Sequence, residues 1–395
     1  MKISKNFEYM NKIANNVKKI NQDQFDYFFN ELKPPENASK PDLWLLTGEG
    51  RSECSLMIPT NETGKSVNRI RVRNVNDVGL PGSTVYAAAP ELERDYNNIK
   101  VIAASGSGES SGPLTTVRET IKYIETKKSD KWKIFLTTSQ PKSTIAKIVK
   151  ENDGMILEIK GAKKKSKEFL KTGIMRDQFE LANFFVYQAI GQMVYEKAEL
   201  ERFPKIVEER FPTIGEMIDE HVKTGFYGTL MDNLEKHCNV FCGGKDGGYF
   251  TSKMNTIRLR HIKNLMGDEV FLIGEPSAKK PLPGDPLIIT SFSGGKEDVY
   301  LGGTKEEDAY VFKLAEKYKK KKTMIYAFVG NEESPLEKIS DHTALLKVDV
   351  KRGEPNPFYL HAAYVQSPLP GVLAKRLSDL GYPVSPEIVE WYHSL

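Results

Sequence analysis

The chain has 395 residues, with 57 lysines and arginines against 53 aspartates and glutamates, and 39% of its residues are apolar. This is the composition of a folded globular protein, too long for one ordinary core and too evenly charged to imply nucleic-acid binding. Cys54, Cys238 and Cys242 are too few for a disulfide framework, and a Cys-x3-Cys pair without nearby ligand histidines is a poor metal site. No apolar run approaches the roughly 18–20 residues that span a bilayer. A cytoplasmic protein with no membrane partner is therefore expected.

In chain order, Phe7, Met10, Ile13, Val17, Ile20 and Phe25 recur at helical steps, and PPENASKPD ends that helical region before Leu43. Short apolar runs follow: LWLLT (43–47), ending in GEGRS; TVYAAA (84–89); and IKVIAA (99–104), ending in SGSGES. Pro113 suits the first turn of a helix over Leu114–Thr126. WKIFLTTS (132–139) and MILEIK (155–160) complete a set of strands alternating with helices, the pattern of a parallel sheet covered on both faces. Pro59, Gly64, Gly79 and Pro81 predict that no unbroken helix follows GEGRS.

From about Thr213 the same order returns. A helix over 213–237 precedes NVFC (239–242) and GGKDGG. A helix over 249–265 precedes DEVFLIG (268–274), and PLIITS (286–291) ends in SFSGG. A helix over 305–321, TMIYAFVG (323–330) and ALLKVDV (344–350) close the second set. GSTVYAA pairs with GDEVFLI, SGSGES with SFSGGK, STIAKI with SPLEKI, and MRDQFELANFF (175–185) with EPNPFYLHAAY (354–364). The expected organisation is a helical segment over 1–42 packed on a first domain, 43–204, and a degenerate second copy over 205–395. The lysine runs GAKKKSK (161–167) and KYKKKK (317–322) read as solvated surface, since no aromatic residues interleave them.

The strongest chemical signal is SGSGESSGP, Ser105 to Pro113, between a buried strand and a helix. Gly106 and Gly108 bring backbone N–H groups close to an anion. Ser105, Ser107, Ser110 and Ser111 add hydroxyls, and the helix adds its positive end. Such a loop suits a phosphate monoester. It lacks the Lys-Ser/Thr of a nucleotide P-loop and the spacing of a dinucleotide fingerprint.

GEGRS, then SGSGES, then FLTTSQPKSTIAKI resembles the SIS (sugar isomerase) family, whose members bind phosphosugars. MRDQFELANFFVYQAIGQMVYE (175–196) is similar to the closing helix of its 6-phospho-3-hexuloisomerase branch. The resemblance implies α/β architecture, two tandem SIS-type domains, each a five-stranded mainly parallel sheet flanked by helices. It implies that Gly50, Arg51 and Ser52 line a sugar pocket beside the serine loop, with Ser139 at the same edge. Glu180 stands at the family's base position and His361 on the equivalent helix of the second copy, a candidate proton-shuttling group. Ser291 and Ser293 survive in the second loop, whereas Phe292, Gly295-Lys296 and Tyr359 depart from the pattern.

The implied activity is aldose–ketose or ketose-shifting isomerisation of a phosphosugar through an enediolate, with no metal or organic cofactor. The alternative is a non-catalytic phosphosugar-binding regulator. A deaminase or transaminating synthase component would need an amine-handling site that the sequence does not offer. The apolar helices of the second copy make a homodimer a candidate assembly.

Overall fold

The computed structural model describes residues 4–77, 85–161, 177–296, 305–351 and 353–388. Two compact units emerge, each built on its own parallel five-stranded sheet. The first comprises Ile13–Gly161 and Gln178–Glu208. Among its described residues run α1 (Glu8–Lys18, from Ile13 on), α2 (Gln22–Leu32), β1 (Asp42–Gly48), α3 (Arg51–Ser66), β2 (Ile70–Asn74), α4 (Val85–Asp95), β3 (Ile99–Ala104), α5 (Ser111–Lys127), β4 (Trp132–Thr138), α6 (Thr144–Glu151), β5 (Met155–Glu158) and α7 (Asp177–Glu196, from Gln178 on).

The strand order is β2-β1-β3-β4-β5, all parallel. Side chains alternate across this sheet. Leu43, Leu45, Ile99 and Val101 meet Val85, Ala89, Leu92 and Tyr96 on one face. Ala103, Ile134 and Leu136 continue that face against Val117, Ile145 and Val149. On the other face Phe28 of α2 meets Phe135 edge-on at 5.2 Å and Tyr187 of α7 at 6.4 Å. A central strand such as β3 is thus buried along its whole length, as two covered faces require.

The second unit holds residues 4–12, 177 and 209–388 among those described. After α8 (Arg202–Lys223) come α9 (Phe226–Leu234), β6 (Val240–Gly244), α10 (Gly247–Lys263), β7 (Val270–Leu272), β8 (Pro286–Ser291), α11 (Lys305–Lys319), β9 (Met324–Val329), α12 (Pro335–Ile339), β10 (His342–Leu345), α13 (Phe358–Gln366) and α14 (Leu369–Asp379). Its strand order, β7-β6-β8-β9-β10, repeats the first sheet strand for strand. Both are the doubly wound order in which ligands bind outside the carboxyl ends of the strands.

Several expectations need correction. TVYAAA is not a strand: from Val85 onward it is the start of α4. Val85, Ala89, Leu92 and Tyr96 fall at steps of four, three and four residues, a helical stripe, and the alanines are the best helix formers. The strand beside β1 is instead IRVRN, Ile70–Asn74, so the counterpart of Val270–Leu272 is β2 and not GSTVYAA.

The segment after GEGRS also departs from expectation, because α3 runs through Pro59 to Ser66. Hydroxyls flank the proline: Thr60 Oγ1 donates to Leu56 O at 2.6 Å and Thr63 Oγ1 to Pro59 O at 2.9 Å. Burial of nearly the whole helix supplies what propensity withholds. Gly79 and Pro81 lie outside the described residues, as does GAKKKSK beyond Gly161. The helix expected over 213–237 divides at Gly225, whose φ of +78° starts α9. Cys242 is buried in β6, where desolvation pushes its thiol up to about 12, so it packs as a small apolar side chain.

Candidate functional site

The carboxyl ends of β1, β3 and β4 lie in register, Gly48 beside Ala104 and Ala104 beside Thr137. The turns that follow therefore share one edge of the first sheet. The serine loop is organised by its own hydroxyls. Ser105 Oγ accepts from Gly108 N at 3.0 Å and lies 2.8 Å from Ser110 Oγ, while Ser107 Oγ accepts from Glu109 N at 3.2 Å. Gly108 has φ +67°, and a Cβ there would lie 1.9 Å from Ser143 Oγ, the N-cap of α6. Ile145 N donates to Gly108 O at 3.1 Å and Ser139 Oγ to Gly106 O at 2.6 Å, which tie the loop to the turn after β4. Hydrogen bonds from Thr144 hold the Glu109 carboxyl below the usual carboxylate range and place it on α6.

Glu180 comes to this edge because α7 is docked on α3 along one face. Asn183 Nδ2 donates to Ser55 Oγ at 2.8 Å, and a Cβ at Gly191 would lie 2.0 Å from Thr63 Oγ1, so only glycine allows that approach. Glu180, Asn183 and Gly191 lie three, then eight residues apart, on one side of the helix. The Glu180 carboxylate lies 3.2 Å from Arg51 Nη1, both side chains being 7% exposed, and Ser52 Oγ is 3.5 Å from Oε1. A guanidinium beside a carboxylate offsets part of the cost of burying each. Phe179, next in sequence, packs on the serine loop, and a Cβ at Gly106 would meet its ring at 2.9 Å.

The structure thus brings together Gly50, Arg51, Ser52 and Glu180, and joins Ser105–Ser111 with Ser139. His361 is placed differently: it is fully buried on α13 in the second unit, and neither ring nitrogen has a hydrogen-bond partner among the described residues. Burial, and secondarily Arg210, pushes its imidazole down to about 3, so it is neutral at pH 7.

Ser291 and Ser293 head a second loop of the same construction. Ser291 Oγ accepts from Gly294 N at 3.1 Å and Ser293 Oγ from Gly295 N at 3.4 Å. Gly294 has φ +59°, and a Cβ there would lie 2.4 Å from Ser334 Oγ, the N-cap of α12. Leu336 N donates to Gly294 O at 2.9 Å, as Ile145 N does to Gly108 O.

One residue at this edge has no counterpart among the sequence expectations. Glu49, the first residue past β1, accepts from Ser111 Oγ at 2.9 Å and Gly112 N at 2.6 Å, on the first turn of α5. An acid between two glycines beside a serine loop is the signal that could have found it. Among the described residues no group of three or more His, Cys, Asp or Glu side chains could hold a metal ion, and no helix is long and apolar enough to cross a membrane.

By sequence, no family profile and no curated protein matches the chain. By structure it is similar to tagatose-6-phosphate ketose/aldose isomerase from Escherichia coli (10% identity, 89% of this chain and 87% of that one, TM-score 0.52). It is also similar to a Clostridium novyi protein provisionally assigned the same activity (12%, 94% and 85%, TM-score 0.57). A third neighbour is the C-terminal domain of glucosamine-fructose-6-phosphate aminotransferase from Francisella tularensis (11%, 95% and 95%, TM-score 0.51). The chain has the fold of the tandem sugar-isomerase (SIS) proteins: two α/β domains, each a five-stranded parallel sheet flanked by helices.

Proposed function

We propose that the chain binds a phosphorylated sugar at the carboxyl edge of its first sheet and isomerises it through an enediolate. The observation that carries this reading is the buried Glu180 carboxylate, held against Arg51 and Ser52 on the edge where the serine loop lies. The loop's hydroxyls and the start of α5 hold the phosphate. Glu180 takes a proton from the carbon next to the carbonyl, and the electron pair moves into the enediolate. A proton then passes from that carbon's hydroxyl to the former carbonyl oxygen, and Glu180 returns its proton to the former carbonyl carbon. Arg51 offers positive charge where oxyanion character develops. The similarity in fold to ketose/aldose isomerases agrees with this chemistry. His361, neutral and enclosed, has no part in it.

The test is Glu180→Gln. The amide keeps the shape and cannot accept the proton, so turnover of hexose and hexulose phosphates should fall by about 10²–10⁴ while binding by calorimetry persists. A second reading, a non-catalytic phosphosugar-binding regulator, is favoured by the ion pair itself, since a base engaged with arginine at 3.2 Å is partly spoken for. A neighbour from Salmonella typhimurium described as a sugar-binding protein fits it (10% identity, TM-score 0.56). Parental turnover that survives Glu180→Gln removes Glu180 as base. Absence of turnover in the parental chain, with phosphosugar binding intact, selects the regulator.

A further inference from the structure

The amino end of α5, where the proposed phosphate would sit, is met by a carboxylate of the chain itself. Ser110, the N-cap residue, makes no side-chain bond to the helix, because its hydroxyl is turned to Ser105. The first turn is served instead by Glu49, whose Oε1 takes both the Ser111 hydroxyl and the Gly112 N–H. The approach is close: a Cβ at Gly112 would lie 3.0 Å from that oxygen. By contrast α6 and α12 are capped by their own N-cap serines, Ser143 and Ser334. Glu49 is exposed and lies beyond the end of β1, joined to the helix by these two bonds. Its contacts are those a phosphate oxygen would make, a hydroxyl and a backbone N–H at a positive helix end.

We infer that Glu49 is an internal competitor for the phosphate group, occupying the start of α5 and leaving when a phosphomonoester binds. This rests on the phosphate reading of the serine loop. A closed population held by Glu49 lowers the apparent affinity of any ligand that needs the same N–H and hydroxyl, by a factor of one plus the ratio of closed to open. Carboxylate and phosphate carry like charge, so the two do not share the helix end. Glu49 thus satisfies the helix end between ligands and weakens retention of the phosphorylated product.

The experiment is calorimetric titration of the full chain with inorganic phosphate and with fructose 6-phosphate, for the parental protein, Glu49→Ala, Glu49→Gln and Glu109→Gln. Glu49→Ala should tighten both ligands by about tenfold or more, and Glu49→Gln by less, because its amide oxygen can still accept both bonds. Glu109→Gln removes equal charge from the same loop but from a carboxylate seated on α6, and should change affinity by no more than about twofold. Parental binding with unchanged or weaker affinity in Glu49→Ala overturns the competitor and leaves the phosphate reading standing. Equal tightening by Glu109→Gln overturns it too, reducing the effect to general charge. No binding by either the parental chain or Glu49→Ala overturns both readings.

Discussion

The turns after β1 and β6 share a backbone conformation and differ in almost everything it serves. Gly50 has φ 56° and ψ −119° and Asp246 has φ 52° and ψ −119°, each as the N-cap of the helix that follows. In the first unit the next residue is Arg51, which meets Glu180 across 3.2 Å. In the second the next residues are Gly247 and Gly248, and the glutamate position is Tyr359. A Cβ at Gly247 would lie 2.5 Å from the Tyr359 ring. The loops after β3 and β8 repeat this relation. Gly106 leaves room for Phe179, whereas Phe292 fills that room and packs on Phe358 at 5.4 Å. The two turns agree to within a few degrees and the loop hydrogen bonds to within about 0.2 Å, while Arg51 is replaced by Gly247, Glu180 by Tyr359 and Gly106 by Phe292. Loop geometry alone is therefore no evidence of a working site. What distinguishes the first unit is the buried Arg51–Glu180 charge pair at the same edge.

The largest expected effect tests that distinction directly. Ser105→Ala with Ser107→Ala should weaken phosphosugar binding by about 1.5–3 kcal/mol per hydroxyl bonded to a charged group, whereas Ser291→Ala with Ser293→Ala should leave it unchanged. Calorimetry on both double variants, with circular dichroism to confirm folding, makes the comparison. Equal losses in the two would mean that the aromatic-filled edge also binds, and the two units would not differ in function as their edges differ in chemistry.

Much of this architecture is legible in the sequence alone. The serine loops, their pairing, and the pairing of STIAKI with SPLEKI rest on glycine and hydroxyl chemistry within a few residues, and such local signals survive in a sequence. Ser143 and Ser334 do occupy equivalent N-caps. The features that sequence patterns misplace are tertiary. TVYAAA looks like a strand until Leu92 and Tyr96 extend its period, and Pro59 looks like a breaker until the helix is known to be buried. IRVRN is a half-buried edge strand with charges at alternate positions, and so carries too little apolar signal. Glu49 and Gly191 depend on contacts 63 and 128 residues away, which no local pattern carries.

A middle-sized effect separates the cores of the two closing helices. The equivalence of Glu180 with Tyr359 sets Ala182 opposite His361, and both are fully buried. The folded protein holds His361 neutral down to about pH 3, while the unfolded chain takes up a proton below its ordinary value of 6.5. The stability that depends on a neutral His361 is whole above pH 6.5 and is lost progressively as pH falls towards 3, the unfolded state binding more protons throughout that window. At pH 5 the loss amounts to about 2 kcal/mol. His361→Leu, of similar bulk, should flatten the curve by that amount when urea unfolding at pH 7 and pH 5 is compared with the parental chain. The same pH slope in both proteins would mean that His361 is protonated in the folded state.

The smallest effect concerns the shared turn itself. A φ near +50° with ψ near −120° is open to glycine, whereas a side chain there is strained by about 1–3 kcal/mol. The first unit meets this with Gly50 and the second carries Asp246 at the same angles. Its strain is not offset by a side-chain cap, since Asp246 makes no such bond to α10, and the side chain is exposed. Asp246→Gly should relieve the strain at the cost of added freedom in the unfolded chain, for a net gain of about 1 kcal/mol. In a unit of this size that is a rise of about 2–4 °C in the melting temperature. The reciprocal change, Gly50→Ala, should destabilise the first unit by about 1–3 kcal/mol. If Asp246→Gly instead lowers the melting temperature, the aspartate makes a stabilising interaction that outweighs its backbone, and the second turn would be a built feature of its own and not an inherited one.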